Sequence, residues 1–335
     1  MVERAAVVGI GAMGTVMAQI LAGNGVQVAL LARPEEPIRE IFAGHENRRY
    51  LPGVHLSPRI TPTQDADRAL GDAELIISAI PCQYLRGAWE RLAGCVPSGV
   101  PIGSVTKGIE VGTRARPSQI LRTFRPDNPI AVLSGPNIAP ELARCLPATV
   151  VVASDTPGTA ELFQAMLSTS WFRVYTSPDV IGVELAGALK NIIALAAGVL
   201  DGLRAGDNAK AALITRGLVE ITRLGVALGA RAETFGGLAG VGDLFTTSVS
   251  PIGRNRTAGE KIGRGADPDD VVRESPSVIE GIPTTRAVLE LARELDVEMP
   301  ITQAVHDVLF ARKSPLVAIT ELMSRPPKAE TTPPR

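Results

Sequence analysis

The chain has 335 residues, 45% hydrophobic and 21% charged, with Lys+Arg 34 against Asp+Glu 35 for a formal net charge of −1. That length is about twice a ~150-residue domain, so two domains are expected, and the balanced charge supplies no net field to draw nucleic acid or an anionic membrane. Trp 2, Tyr 3 and Phe 7 are too few for a base-stacking platform. His45, His55 and His306 are the only imidazoles, and Cys82, Cys95 and Cys145 form no C-x-x-C pair. A disulfide scaffold and a zinc site therefore find no support, no metal ligands are assigned, and a reducing, cytoplasmic compartment is expected.

Between Arg4 and Arg33 no residue is charged, yet Gly9, Gly11, Gly14, Gly23 and Gly25 interrupt the apolar run, so no membrane span is expected there. Read by element, the segment gives a buried strand over 5–8, a helix over 12–23 and a second strand over 26–31, which is a βαβ unit. Gly9-Ile10-Gly11-Ala12-Met13-Gly14 sits between the first strand and the helix, the context in which G-x-G-x-x-G becomes a dinucleotide signature. Its glycines allow the tight turn, the close approach of a pyrophosphate and close helix packing, while the helix N-terminus offers free N–H groups. Arg33 at the end of the second strand suits a ribose 2′-phosphate, so NADP(H) is favoured; Glu35 and Glu36 follow it and keep NAD(H) open.

Further strands are expected over 75–80, 100–105, 130–133 and 149–153, giving a mostly parallel sheet within residues 1–178. Helices are expected over 180–203, 208–229, 283–295 and 301–312, making 179–324 a second, helical domain. The proline-rich 325–335 reads as a disordered tail. The fold class is thus α/β, a Rossmann-type domain followed by an all-helical one.

Three charges stand alone in apolar surroundings. Lys107 follows a strand, where ligands of doubly wound sheets bind, and is the first charge after Arg91. Lys190 is the sole charge over 185–200, on a helix of Ala, Leu, Ile and Gly; an unpaired ammonium buried there would lose its proton more readily and serve as a proton donor. Asp243, at the end of a glycine-rich loop, is the sole charge between Glu233 and Arg254 and is placed to orient Lys190. Gly253-Arg254-Asn255-Arg256 sets guanidiniums at an expected helix start, a pattern suited to phosphate oxygens. Each also has a plain structural reading, as a solvated lysine, a capping aspartate or a basic turn.

In order along the chain, the segments GIGAMGT, RRYLPG, TKGIE, SGPNIAPELA, FRVYTSPDVIGVELAGALKNIIALAAG, NAKAALITRGLVEI, GLAGVGDLFTT, GRNRTAGEKIGRG, VIEGIPTTRAV and VEMPIT resemble those of the bacterial-type NAD(P)-dependent glycerol-3-phosphate dehydrogenase family, from residue 5 to about 323. The resemblance implies a cytoplasmic homodimer that reduces dihydroxyacetone phosphate to sn-glycerol 3-phosphate for phospholipid synthesis. Carried over residue by residue, it puts the catalytic lysine on Lys190, beside Asn191, and a second lysine that meets both cofactor and substrate on Lys107. It puts substrate contacts on Gly135, Asn137, Asp243, Gly253, Arg254 and Asn255. Cofactor contacts fall on Ala12, Met13, Arg33, Ala139, Arg254, Val278 and Glu280, beside Gly9, Gly11 and Gly14 of the first motif.

The chain departs from the family pattern at Ala12-Met13, where Ser and an aromatic are common, at Asn137, Ile138 and Pro140, and at Gly253, where Ser usually precedes Arg-Asn. Two of these positions face substrate in the family. The departures keep open a same-fold NADPH-dependent reductase of another phosphorylated carbonyl, and Ala12-Met13 a non-catalytic NADP-sensing protein.

Overall fold

The computed structural model describes residues 2–327, 329 and 330. The strands run β1 (Arg4–Val8), β2 (Gln27–Leu31), β3 (Glu46–Asn47), β4 (Leu51–His55), β5 (Ile60–Thr63), β6 (Leu75–Ser78), β7 (Ile102–Ser104), β8 (Ile130–Ser134), β9 (Ala148–Ser154) and β10 (Phe172–Ser177). Eight of them form one sheet in the order β10-β9-β8-β7-β6-β1-β2-β5, and β3 with β4 makes a small antiparallel hairpin. Every pairing in the large sheet is parallel except β8 with β9. Alternation along β1 sends Ala5 and Val7 to one apolar layer and Ala6 and Val8 to the other, so the sheet is covered on both faces, as a parallel sheet requires.

The expected βαβ unit forms, with helix Ala12–Gly23 between β1 and β2. Gly9 has φ +110 and a side chain on it would meet the Ala79 carbonyl oxygen at 2.8 Å, while one on Gly14 would overlap the Gly9 carbonyl; glycine is needed at both. The second strand stops at Leu31, so Arg33 stands two residues beyond the sheet rather than at its last position. The strands expected over 75–80 and 100–105 are also shorter, Leu75–Ser78 and Ile102–Ser104; beyond their ends Thr106 Oγ1 donates to the Ile80 carbonyl at 2.7 Å. β5 and β10 were not expected. Pro62 disguises the edge strand β5, and β10 buries only Phe172 and Val174 among polar neighbours.

After Ser177 every element is helical. The central helix, Val180–Gly202, has the length and hydropathy of a membrane span, 23 residues at 1.7, but lies buried at the middle of the helical half. Helix Arg254–Gly263 crosses it without intervening side chains. A methyl group on Gly198, Gly202, Gly259 or Gly263 would overlap the carbonyl of Arg256, Glu260, Leu195 or Val199 respectively. The two backbones thus touch, which fixes Lys190 and Asn191 against the start of the second helix. Arg256 forms an ion pair across the crossing, with Asp201 at 2.6 Å, and one along its own helix, with Glu260 at 3.2 Å. Asp243, expected in a loop, instead begins helix Asp243–Val249 directly after a π-helical turn, Leu238–Gly242. The glycines that read as a loop allow the wide turn to pack closely. Of the tail expected over 325–335, residues 328 and 331–335 lie outside the described residues.

Gly259→Ala should destabilise the protein by about 1–3 kcal/mol through overpacking, despite the better helix propensity of alanine. Gly87→Ala, on an exposed helix position with open space around it, should stabilise by up to about 1 kcal/mol. Urea midpoints of the two variants should move in opposite directions.

Candidate active site

Beyond the C-terminal ends of β7 and β8, three elements bring their isolated charges together. Asp243 is buried and shares its carboxylate between two ammoniums: Lys190 Nζ donates to Oδ1 at 2.9 Å and Lys107 Nζ to Oδ2 at 2.7 Å. Lys107 also donates to the Gly135 carbonyl at 3.1 Å and to Asn137 Oδ1 at 2.7 Å. Its aliphatic stem runs past Gly187 on the central helix, where a side chain would sit 3.5 Å from Lys107 Cγ. Lys190 is 6% exposed and Asp243 2%, so neither charge is screened as a surface pair would be.

Lys190 is buried and paired with Asp243, the residue expected to orient it. The ammonium that the structure disfavours is Lys107: burial pushes it down to about 8, with the charges of Lys190 and Arg254 acting in the same direction and Asp243 opposing them.

Helix Arg254–Gly263 starts from Gly253 with no side-chain cap, leaving its first N–H groups for a ligand. The Arg254 guanidinium donates to the Val278 carbonyl at 3.2 Å, so two of the expected cofactor positions adjoin. Glu280, next to them, accepts from the Cys82 backbone N–H at 3.0 Å through Oε1, whereas buried Oε2 has no partner. Burial raises this carboxyl to about 7. Asn255 is differently employed from the expected phosphate contact: its Nδ2 donates to Asn191 Oδ1 at 2.9 Å and its Oδ1 accepts from Gly281 N at 2.9 Å. The amide side chain therefore ties three helices together, and only its backbone N–H faces the helix end.

Two strands along the sheet from β7, after β1, Gly11 precedes helix Ala12–Gly23 without a capping side chain, and a methyl group on it would meet nothing within 4 Å. Ala12 and Met13 form the first turn, which carries no acidic residue. Open space over an uncapped helix N-terminus, together with the orphaned Glu280 oxygen, fits a dinucleotide pyrophosphate and a polar hydrogen-bonding group further along. Ala139 begins helix Ala139–Leu142, beyond Asn137. Arg33 lies past β2 with its guanidinium on Glu36, and Arg49 and Tyr50, which sequence reasoning left unassigned, meet the same carboxylate. The RRYLPG segment was the available signal for them.

Comparison with known proteins gives a consistent picture. A family model described as the NAD-dependent glycerol-3-phosphate dehydrogenase N-terminus matches residues 4–160, and its C-terminus counterpart matches 179–320. The chain is 47% identical to a glycerol-3-phosphate dehydrogenase [NAD(P)+] from Frankia casuarinae, over 98% of both chains. It is also 47% identical to one from Thermobifida fusca, again over 98% of each. The crystal structure of glycerol-3-phosphate dehydrogenase from Coxiella burnetii superposes with a TM-score of 0.93 at 36% identity, covering 96% of this chain and 99% of that one.

Because Lys107 holds its proton less firmly than a free lysine, binding of an anionic substrate should weaken above an apparent pKa of about 8. Asp243→Asn removes the charge that supports the ammonium, so this limb should move to lower pH; the pH profile of kcat/KM checks it. The unfolded chain binds more protons than the folded one between about 8 and 10.5, so Lys107 makes stability rise with pH across that window.

Proposed function

Since the chain belongs to the NAD-dependent glycerol-3-phosphate dehydrogenase family, we propose that it reduces dihydroxyacetone phosphate to sn-glycerol 3-phosphate with NAD(P)H. Residues 1–178 would form the dinucleotide-binding domain and 179–324 the substrate and catalytic domain, with each lending residues to the other's ligand. The observation that carries this reading is the buried Asp243 carboxylate shared by Lys107 and Lys190. It supports a site that can donate a proton and still remain cationic toward a phosphate ester.

In this reading Gly9, Gly11, Ala12, Met13, Gly14, Arg33, Lys107, Ala139, Arg254, Val278 and Glu280 hold the nicotinamide dinucleotide, which when bound supplies the hydride for the carbonyl carbon. Arg254 and the uncapped N–H groups at its helix start grip the substrate phosphate, with Gly253 allowing close approach. This grip fixes the carbonyl, the middle carbon of a three-carbon substrate, so that phosphate binding energy orients the reacting group. Lys107, steadied by Gly135 and Asn137, stabilises the negative charge that grows on the carbonyl oxygen. Lys190 passes its proton to that oxygen, the product is the alcohol, and solvent restores the lysine proton. Asp243 keeps both ammoniums in place throughout, and Asn255 acts by holding Asn191, next to Lys190, and Gly281 in register.

Cytoplasmic work in glycerophospholipid synthesis accords with Cys82, Cys95 and Cys145 all being free. A homodimer accords with the exposed apolar side chains of Phe245 and Ile252, 58% and 53% accessible, close to the site in sequence and available for burial by a second copy.

Lys190→Ala should retain NADPH binding and lose turnover by about 10²–10⁴-fold, the usual worth of a positioned proton donor. Dihydroxyacetone-phosphate-dependent loss of nicotinamide absorbance measures it, and wild-type-like turnover would remove Lys190 from this role. Arg254→Ala should raise the KM for dihydroxyacetone phosphate by a larger factor than the KM for a carbonyl substrate without phosphate, the smaller loss reporting its contact with the dinucleotide.

A further inference from the structure

Glu36 lies under a loop that folds back over the glycine motif. Asn47 pins this loop, its Nδ2 donating to the Ile10 carbonyl at 2.8 Å and to Thr15 Oγ1 at 2.7 Å. Two residues later, Arg49 Nη1 donates to Glu36 Oε2 at 2.9 Å, and the Tyr50 hydroxyl donates to Oε1 at 3.0 Å. Arg33 Nη2 donates to the same Oε1. Gln64 Nε2 ties down the main chain between them, reaching the carbonyls of Arg33, Pro34 and Glu36 at 3.0, 2.6 and 2.9 Å. The Glu36 side chain is 4% exposed, whereas those of Arg33 and Arg49 are 67% and 55% exposed.

Two consequences follow from the chemistry of these groups. First, both oxygens of Glu36 are already engaged by cations and a hydroxyl. Burial pushes its carboxyl up, but the bonds from Arg33 and Tyr50 and the two guanidinium charges outweigh this and hold it below the ordinary value, so it stays ionised. A carboxylate this occupied is poorly placed to accept from ribose hydroxyls, the task that an acidic residue near this strand end performs in NAD-selective folds. Second, each guanidinium uses one edge on Glu36 and keeps further N–H donors open to solvent. Glu35 also lies within electrostatic range of Arg33 but forms no ion pair with either arginine, so both guanidiniums rest on Glu36 alone, and arginines fixed before ligand arrives lose less freedom when it binds. Arg49 is further restrained over the Tyr50 ring, 5.2 Å from its centroid.

We infer that Arg33 and Arg49 form a two-armed clamp for a phosphomonoester, the 2′-phosphate of NADP(H), with buried Glu36 as the fixed anion on which both arms rest. The clamp selects NADP(H) over NAD(H), and Arg49 is a specificity-determining residue alongside Arg33. It rests on the reading that the glycine motif binds a dinucleotide.

The test is titration of the whole protein with NADPH and with NADH, read by nicotinamide fluorescence, together with calorimetry of adenosine 2′,5′-bisphosphate against 5′-AMP. NADPH should bind at least about tenfold more tightly than NADH, and the bisphosphate more tightly than the monophosphate. Arg49→Gln should weaken NADPH about 10–100-fold, the range for a lost charge-assisted hydrogen bond, and leave NADH within about twofold. Glu36→Gln should weaken NADPH by a larger factor than NADH, because the carboxylate positions the arginines and does not read the ribose. Equal affinity of the wild-type protein for the two dinucleotides, or a Glu36→Gln variant that loses NADH binding more than NADPH binding, overturns the clamp while leaving the dinucleotide site standing. Failure of the wild-type protein to bind either dinucleotide overturns that site and the clamp with it. The comparison of the two mononucleotides on the unmodified protein decides the matter even if a variant fails to fold.

Discussion

One carboxylate constrains the active centre. Asp243 meets an ammonium from the sheet end and another from the central helix, and it can do so only if the sheet, the helix and the π-helical turn before it all stop in register. Removing three charges from water is expensive, and the return comes only when geometry is good and the remaining donors are satisfied. Gly135 and Asn137 supply that satisfaction for Lys107. Because two cations share one anion, the cluster retains positive charge in a place of low dielectric, where attraction for an incoming anion is strong.

Such precision needs a stiff scaffold, and the scaffold is made by leaving side chains out. Where helix Arg254–Gly263 crosses the central helix, glycines on both let carbonyls lie against α-carbons. Interdigitated side chains would hold the axes further apart and permit small rotations; backbone contact does not. Asn255 and Asn191 then bridge the crossing by their side-chain amides, within one residue of Arg254 on one helix and Lys190 on the other. Arg254 and Lys190 are thus set at a fixed separation by packing alone.

Much of this was legible in the sequence, for a physical reason. Lys107, Lys190 and Asp243 each stand alone in long uncharged stretches, and an isolated charge amid apolar residues must find a partner or a function. The βαβ unit was equally plain, because strand, glycine loop and helix follow one another within a short segment. Less visible were features whose signal is nonlocal. The partner of Lys190 could be guessed, but that Lys107 shares it depends on the relative placing of three elements. Asp243 was read in a loop because glycine runs look alike whether they turn freely or widen a helix. Asn255 resembled a phosphate ligand by its neighbours, while its actual bonds lie on residues 64 positions earlier and 26 later. Arg49 sat in a basic pair like many on protein surfaces, and only the buried Glu36 beneath it distinguishes it.

Two buried carboxylates repeat one motif with different chemistry. Each carries two cations, Asp243 with two lysines and Glu36 with two arginines. The choice of cation follows from what the charge must do. A guanidinium keeps its proton at any physiological pH and offers a rigid fork, so it serves where a phosphate must be held and nothing transferred. An ammonium can be tuned by burial and neighbours until its proton is available, as the fall of Lys107 to about 8 illustrates. Arginine at Lys190 would preserve the charge on Asp243 yet withhold the proton from the alkoxide, and lysine at Arg49 would preserve the charge at Glu36 yet lose the fork. In the proposed function, the same electrostatic frame serves as a binding site at Glu36 and as a proton-transfer site at Asp243.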